Sequence, residues 1–193
     1  RFLKEYYRFQ TKDLLQEDAI RTVHLLCAQN GIRHIFLKGA YLKKLYPEAY
    51  MRGMGDIDML VEKGDQERIR KLLLDAGFKN PINGPTHDFY SRGKEIFLEV
   101  HPQIDIHFDK AHLVAFDNIW MSAVEQGEYE YDLAPEINLI YLLSHLAKHL
   151  KSSGVGLRQI LDIGIFLDAI GAKVNQDVLF GLLGKTTMTL FFQ

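Results

Sequence analysis

Asp56 and Asp58 lie one residue apart in the run Gly55-Asp56-Ile57-Asp58-Met59-Leu60-Val61. Along an extended strand side chains alternate faces, so the two carboxylates share one face and Ile57, Met59 and Val61 point to the other. Two like charges ~4 Å apart repel by about 4 kcal/mol at an effective dielectric of about 20. A divalent cation between them removes that repulsion, and an oxygen-only donor set suits Mg²⁺ or Mn²⁺.

The same alternation applies to Ile96-Phe97-Leu98-Glu99-Val100-His101. It puts Glu99 and His101 on one face and Leu98 and Val100 on the other. On a strand beside the first, Glu99 would complete a three-carboxylate metal cluster of Asp56, Asp58 and Glu99, with His101 in the same cleft. Three such acids are what a two-metal phosphoryl-transfer site requires. One ion lowers the pKa of the attacking hydroxyl and the other neutralises the leaving pyrophosphate. A third segment, Phe36-Leu37-Lys38-Gly39-Ala40, lies between a strand pattern and a helix pattern. Gly39 permits close backbone approach, the helix start favours an anion and Lys38 adds positive charge, so a triphosphate fits there. Taken singly, each feature has an ordinary reading: a solvated strand edge, a surface glutamate, a plain turn. Their order and phase together give them weight.

The elements that must position these residues can be read from periodicity. Residues from about 10 to 30 read as a helix, with Leu14, Leu15, Ile20, Val23, His24 and Cys27 at helical spacing and Asn30-Gly31 as the stop. Ile32 to Leu37 reads as a strand, Ala40 to Leu45 as a helix, Asp56 to Glu62 as a strand and Gln66 to Ala76 as an amphipathic helix. Asn80 to Pro85 is turn-rich. Asp88 to Ser91 and Glu95 to His101 form a hairpin around Arg92-Gly93-Lys94. Residues 109–126, 136–150 and 157–170 read as helices, and a last helix begins near Asn175. This order predicts an α+β fold: a small mixed β-sheet core flanked by helices over residues 1–130, then an all-helical subdomain over 131–193.

Composition bounds the class. The 193 residues are 47% hydrophobic and 25% charged, enough for a packed core without staples. Lysine and arginine total 23 against 25 acids, a net charge of −2, so no extended nucleic-acid groove is expected. Cys27 is the single cysteine. It excludes an internal disulfide and a multi-cysteine zinc site, reads as a buried inert thiol, and fits a reducing, cytoplasmic setting. No apolar run reaches the ~18 residues of a membrane span, so no membrane partner is expected. The first residues do not resemble a signal peptide. The absence of an initiator Met and the apolar last residues are read as one or both true termini missing.

On these residues the chain resembles the DNA polymerase β-like nucleotidyltransferase superfamily, and within it the bacterial uncharacterised nucleotidyltransferases. That family carries Leu-Lys-Gly, an Arg shortly before Asp-Ile-Asp-x-Leu-Val, and an acid-x-His strand. Here these are Leu37-Lys38-Gly39, Arg52, Asp56 to Val61 and Glu99-Val100-His101. The segment His145-Leu146-Ala147-Lys148-His149, followed by Gly156-Leu157-Arg158, is similar to the family's helical part. The Lys-Gly and Arg-to-Asp-x-Asp spacing is also similar to the abortive-infection toxin nucleotidyltransferases. The resemblance spans residues from about 30 to 165.

The resemblance implies Mg²⁺-dependent transfer of a nucleoside monophosphate from an NTP to a hydroxyl or phosphate acceptor, whether small molecule, protein or RNA end. It implies that Asp56 and Asp58 bind both metals and that Glu99 binds the catalytic one and helps activate the acceptor. Lys38 and Gly39 would hold the β and γ phosphates, with Arg52 beside them. One position departs from the pattern: the hydroxyl residue after the turn glycine is Ala40. Lys38, Lys43 or Arg52 could compensate. The departure keeps a second reading open, a catalytically degenerate nucleotide- or partner-binding regulatory module, as in toxin–antitoxin pairs. A nucleotide-sugar glycosyltransferase is a third, disfavoured by the short chain.

His145 and His149 are four apart and share a helix face, but no His-Glu-x-x-His zinc motif is present. His145, Lys148 or His149 is expected to line the cleft, and Arg158 to contact a phosphate or pair with Asp162. His87, His107 and His112 carry no usable spacing, and Glu125 to Asp132 reads as a solvated loop or edge.

Overall fold

The computed structural model describes residues 2–84, 86–104, 107–108, 111–112, 114–152, 154 and 156–183. The chain forms two compact units, one of residues 1–103 with 125–132 and the other of residues 104–124 with 133–193.

The first unit opens with helix α1 (Phe2–Gln29). It begins earlier than periodicity suggests, because its first turns leave Leu3 and Tyr7 exposed and carry no core stripe. Leu14 and Leu15 are also exposed; the buried face runs through Ala19, Val23 and Cys27. Gly31, in the left-handed region at φ 65°, stops the helix. Strand β1 (His34–Leu37) follows, then the short helix α2 (Lys38–Leu42) and a 3₁₀ turn over Lys43–Leu45. Strand β2 (Ile57–Val61) leads into helix α3 (Gln66–Asp75). Strand β3 (Lys79–Asn83) occupies the segment read as turn-rich. Pro81 removes a ladder donor there, which an edge strand tolerates, and the β3–β4 register shifts between Lys79 and Ile82. Strands β4 (Asp88–Arg92) and β5 (Ile96–His101) form the expected hairpin.

The helix expected over 109–126 is not what forms. Its described part holds the two-residue strand β7 (Ala111–His112), paired with β6 (His107–Phe108) just before it, a 3₁₀ turn and the one-turn helix α4 (Ile119–Ser122). Residues 124–132 then make a hairpin of β8 (Val124–Gly127) and β9 (Glu130–Asp132). Its turn holds Glu128 and Tyr129 at positive φ, a conformation that periodicity cannot signal.

The main sheet has the order β3-β4-β5-β2-β1-β9-β8 and is mixed: β2 runs parallel to β5 and antiparallel to β1, and β1 is parallel to β9. Helices α1 and α3 cover one face. Ala19, Val23, Cys27, Ile69 and Leu73 pack there against Ile57, Met59, Val61, Leu98 and Val100. Burial pushes the Cys27 thiol up to about 12, so it stays protonated and inert.

The second unit is built on α5 (Pro135–Ser152), with α6 (Leu157–Ile170) and α7 (Gln176–Leu183) packed on it. Ile140, Ala147 and Phe166 are fully buried. Asn175 starts α7 by accepting the Asp177 and Val178 amides. Among the described residues no helix is long and apolar enough to cross a membrane.

Candidate active site

Strand β2 is central and every one of its five residues is buried, four of them apolar. Asp58 is the exception in type, with a side chain only 3% exposed. Its face follows from the pleat: Ile57, Met59 and Val61 point to α1 and α3, so Asp58 points away from them. Strand β5 alternates buried and half-buried residues, which puts Glu99 and His101 on the face away from that core. The parallel β2–β5 register sets Asp58 opposite Glu99 and Leu60 opposite His101. Asp56 lies in the bend just before β2 and is half-buried.

Two side-chain nitrogens meet on one oxygen. Lys38 Nζ donates to Asp58 Oδ1 at 2.7 Å, and His101 Nε2 lies 3.2 Å from the same atom. His101 Nε2 is also 3.4 Å from Glu99 Oε2. Burial alone would raise the Asp58 carboxyl, but the His101 hydrogen bond and the Lys38 ammonium outweigh it and hold it below the usual carboxylate range. Glu99 is lowered as well, first by its bond to His101, against burial and the Asp58 charge. Burial disfavours charge on His101, yet the two carboxylates raise it above an ordinary histidine. Asp56 moves the other way: burial raises it, and the Asp58 and Glu99 charges add to that.

The Asp56 shift tests the fit of a cation. Beyond burial, the first cause, the Asp58 and Glu99 charges on Asp56 outweigh the opposing Lys38 charge. A divalent ion among these oxygens would reverse the sign of its surroundings. The ligand atoms of Asp58, Glu99 and His101 lie within 4.8 Å of one another. The donor set therefore suits a hard divalent ion held mainly by carboxylate oxygens, with one imidazole at hand.

The turn after β1 behaves differently from its sequence reading. The left-handed residue is Lys38, at φ 45°, which aims the chain into α2 directly after the strand. Gly39 is needed for packing: a Cβ there would sit 3.1 Å from Met54 Sδ and 3.2 Å from Met54 Cβ. Ala40 belongs to the apolar core with Phe36 and Met54, so its side chain is spent on packing. Lys43, read as a spare cation for a phosphate, is instead buried against α1, with Nζ 2.6 Å from Asp13 Oδ1 and also paired to Glu17. Buried polar positions on α1 explain this, since Gln16 likewise donates to the Met54 carbonyl. Arg52 is buried in the loop before β2 and donates to the Gly53 carbonyl at 2.6 Å.

His87 had no usable spacing in the sequence, but its Nε2 lies 3.8 Å from Glu99 Oε2 and its ring 5.0 Å from that of His101. The hairpin register could have found it. Arg92 pairs with Ile96 and Asp88 with Val100, so one step further His87 comes beside His101. Side chains of His107 and His112 lie outside the described residues. His145, Lys148 and His149 are on α5 and Arg158 opens α6, all in the second unit. The His145 and His149 rings meet edge to face at 4.5 Å, one helical turn apart. Lys148 and Arg158 are exposed.

Residues 1–191 match the model of a family described as uncharacterised nucleotidyltransferase. Comparison with curated protein sequences finds no match. Among solved structures the fold is similar to ANT(2")-Ia in complex with adenylyl-2"-tobramycin, at TM-score 0.62 and 13% identity over 87% of this chain and 94% of that one. It is similar to the lincomycin-bound lincosamide antibiotic adenylyltransferase LnuA at TM-score 0.50 and 16% identity, over 73% and 89%. The Megavirus polyadenylate synthase matches at TM-score 0.53 and 11% identity, over 86% of this chain and 35% of that one.

Proposed function

The chain belongs to the family of uncharacterised nucleotidyltransferases, and from that premise we propose that it transfers a nucleoside monophosphate from an NTP to a hydroxyl or phosphate acceptor, with Mg²⁺ or Mn²⁺. The observation that supports this best is the pairing of Asp58 with Glu99 on adjacent parallel strands, with Asp56 two positions before Asp58. In this reading Asp56, Asp58 and Glu99 hold the ions of a two-metal site. Bound there, the ions neutralise triphosphate charge and lower the pKa of the acceptor hydroxyl.

The chain's own groups do the rest. Lys38 releases Asp58 and turns its ammonium to the β and γ phosphates, and Arg52, in the loop before β2, adds positive charge toward the nucleotide. Glu99, held below the usual carboxylate range by its bond to His101, would hold the catalytic ion and help activate the acceptor hydroxyl. His101, whose Nε2 reaches both Asp58 and Glu99, keeps both carboxylates oriented. The acceptor oxygen forms a bond to the α-phosphorus, the bond to the β-phosphate bridge breaks, pyrophosphate leaves with that electron pair, and the acceptor proton passes to solvent or to a carboxylate. His145, Lys148, His149 and Arg158 remain candidates for acceptor contacts.

The experiment is incubation of the purified chain with α-labelled NTPs, Mg²⁺ and panels of hydroxylated small molecules, proteins and RNA ends. Label transfer that disappears in Asp58→Asn supports the proposal. A second reading, a nucleotide-binding regulatory module without transfer, draws on Lys38 being engaged by Asp58 and on Ala40 being spent in the core. Magnesium-dependent NTP binding with no transfer to any acceptor favours it.

A further inference from the structure

A second cluster of ligating side chains lies at the other end of β1. His34 opens that strand opposite Val61, whereas Leu37 at its far end is opposite Asp58. The separation along the strand is about 10 Å, so this cluster is separate from the acid site. His24 comes from α1, His34 from β1 and Glu130 from the start of β9. His24 Nδ1 is 3.2 Å from His34 Nε2 and 3.2 Å from Glu130 Oε2. All three ligand atoms lie within 4.8 Å of one another. Four-coordinate zinc with bonds of about 2.0–2.1 Å places its donors about 3.3 Å apart, close to both of those separations.

The outer contacts are those that metal-ligating groups need. His34 Nδ1 faces the Ile32 carbonyl at 3.2 Å. A carbonyl only accepts, so the ring proton sits on Nδ1 and the buried Nε2 presents a lone pair. His24 turns its other nitrogen, Nε2, to Glu128 Oε2 at 3.4 Å, the carboxylate–histidine arrangement that fixes a ligating tautomer. Glu130 accepts a hydrogen bond from Lys44 Nζ on its second oxygen, Oε1. Each group thus has one atom held from outside and another within 4.8 Å of its two neighbours' ligand atoms. His34 is fully buried, while the His24 and Glu130 side chains are 21% and 18% exposed, which leaves a route for an ion.

We propose that His24, His34 and Glu130 bind a borderline divalent transition ion, with Zn²⁺ as the probe, and that this ion ties α1 to β1 and to the β8–β9 hairpin. Two imidazoles and one carboxylate differ from the carboxylate-rich acid cluster and select Zn²⁺ over Mg²⁺. Three protein ligands leave one position for water.

The test uses the full chain, stripped with chelator and carrying Asp58→Asn so that the acid cluster is disabled. Titration calorimetry should show one Zn²⁺ per chain, weakened at least about tenfold by adding His24→Gln or Glu130→Gln, and about tenfold by Glu128→Gln, which removes only an outer contact. Co²⁺ in place of Zn²⁺ should give the visible absorption of a four-coordinate site, lost in His24→Gln. Should a variant fail to fold by circular dichroism, long-range proton–nitrogen spectra of the unmodified chain decide, with Zn²⁺ shifting His24 Nδ1 and His34 Nε2. Zinc binding that His24→Gln and Glu130→Gln leave unchanged overturns the proposal, as do the absence of saturable binding and histidine nitrogens that do not shift.

Discussion

Asp58 and Glu99 are register partners on the parallel strands β2 and β5, and a single nitrogen, His101 Nε2, reaches an oxygen of each at 3.2 and 3.4 Å. Like charges directly opposite on neighbouring strands destabilise a sheet. The fold carries this pair because Lys38 supplies opposite charge to Asp58 and His101 Nε2 lies against both carboxylates. The acid cluster is therefore built to hold cationic partners, and its chemistry follows from which cation occupies it.

Lys38 is the first such partner. Lys38→Met removes the ammonium from the nearly buried Asp58 carboxylate and should cost about 2 kcal/mol of stability, since His101 still bonds the same oxygen. Thermal melts should show the loss, and saturating Mg²⁺ should recover more of it in the variant than it adds to the unmodified chain. A Mg²⁺ gain no larger in the variant speaks against a shared position for lysine and metal.

Glu99→Gln keeps the shape of the strand and removes the charge that the proposed mechanism uses to activate the acceptor. Steady-state kinetics should show kcat lower by about 10²-fold or more with the KM for NTP little changed. A rise in KM alone would assign Glu99 to nucleotide binding.

Gly39→Ala tests the turn as packing. The added methyl meets Met54 at 3.1–3.2 Å, tighter than ordinary contact, in a buried site. A loss of about 1–3 kcal/mol is expected by urea denaturation. In a Met54→Ala background the same change should cost at least about 1 kcal/mol less. Equal costs in both backgrounds would separate Gly39 from Met54.

Cys27 gives the fold an alkaline limit. Burial lifts the thiol from an ordinary 9.0 to about 12. A group held higher in the folded state contributes its stability below the unfolded value and loses it as pH rises through the folded one. The loss therefore starts near 9 and runs towards about 12, at up to about 1.4 kcal/mol per pH unit. Urea unfolding at successive pH values in this window should show the unmodified chain losing stability faster than Cys27→Ala. Parallel slopes would contradict it.

Much of the frame was legible in the residues. The alternation in Ile96 to His101 set the phase of Glu99 and His101, and the same logic set Asp58 away from Ile57, Met59 and Val61. The Arg92-Gly93-Lys94 turn located the β4–β5 hairpin. Other features depend on contacts between distant segments. Lys38 bonds Asp58 across twenty positions of sequence, and Lys43 turns to Asp13 across thirty, so a local pattern could not separate their roles. The segment 109–126 misled because Ile119, Trp120 and Met121 fit a helix, yet among the described residues α4 is a single α-helical turn before the β8–β9 hairpin takes the chain. The cluster of His24, His34 and Glu130 is built from three elements with no common spacing.

The most direct measurement is titration calorimetry of a non-hydrolysable NTP into the chain, with and without Mg²⁺, repeated with Asp58→Asn. The predicted result is NTP affinity at least about tenfold higher with Mg²⁺ in the unmodified chain, about 1.4 kcal/mol, and no such gain in the variant. Equal affinity with and without Mg²⁺, or a gain that survives in Asp58→Asn, would contradict a metal-dependent nucleotide site on β2 and β5.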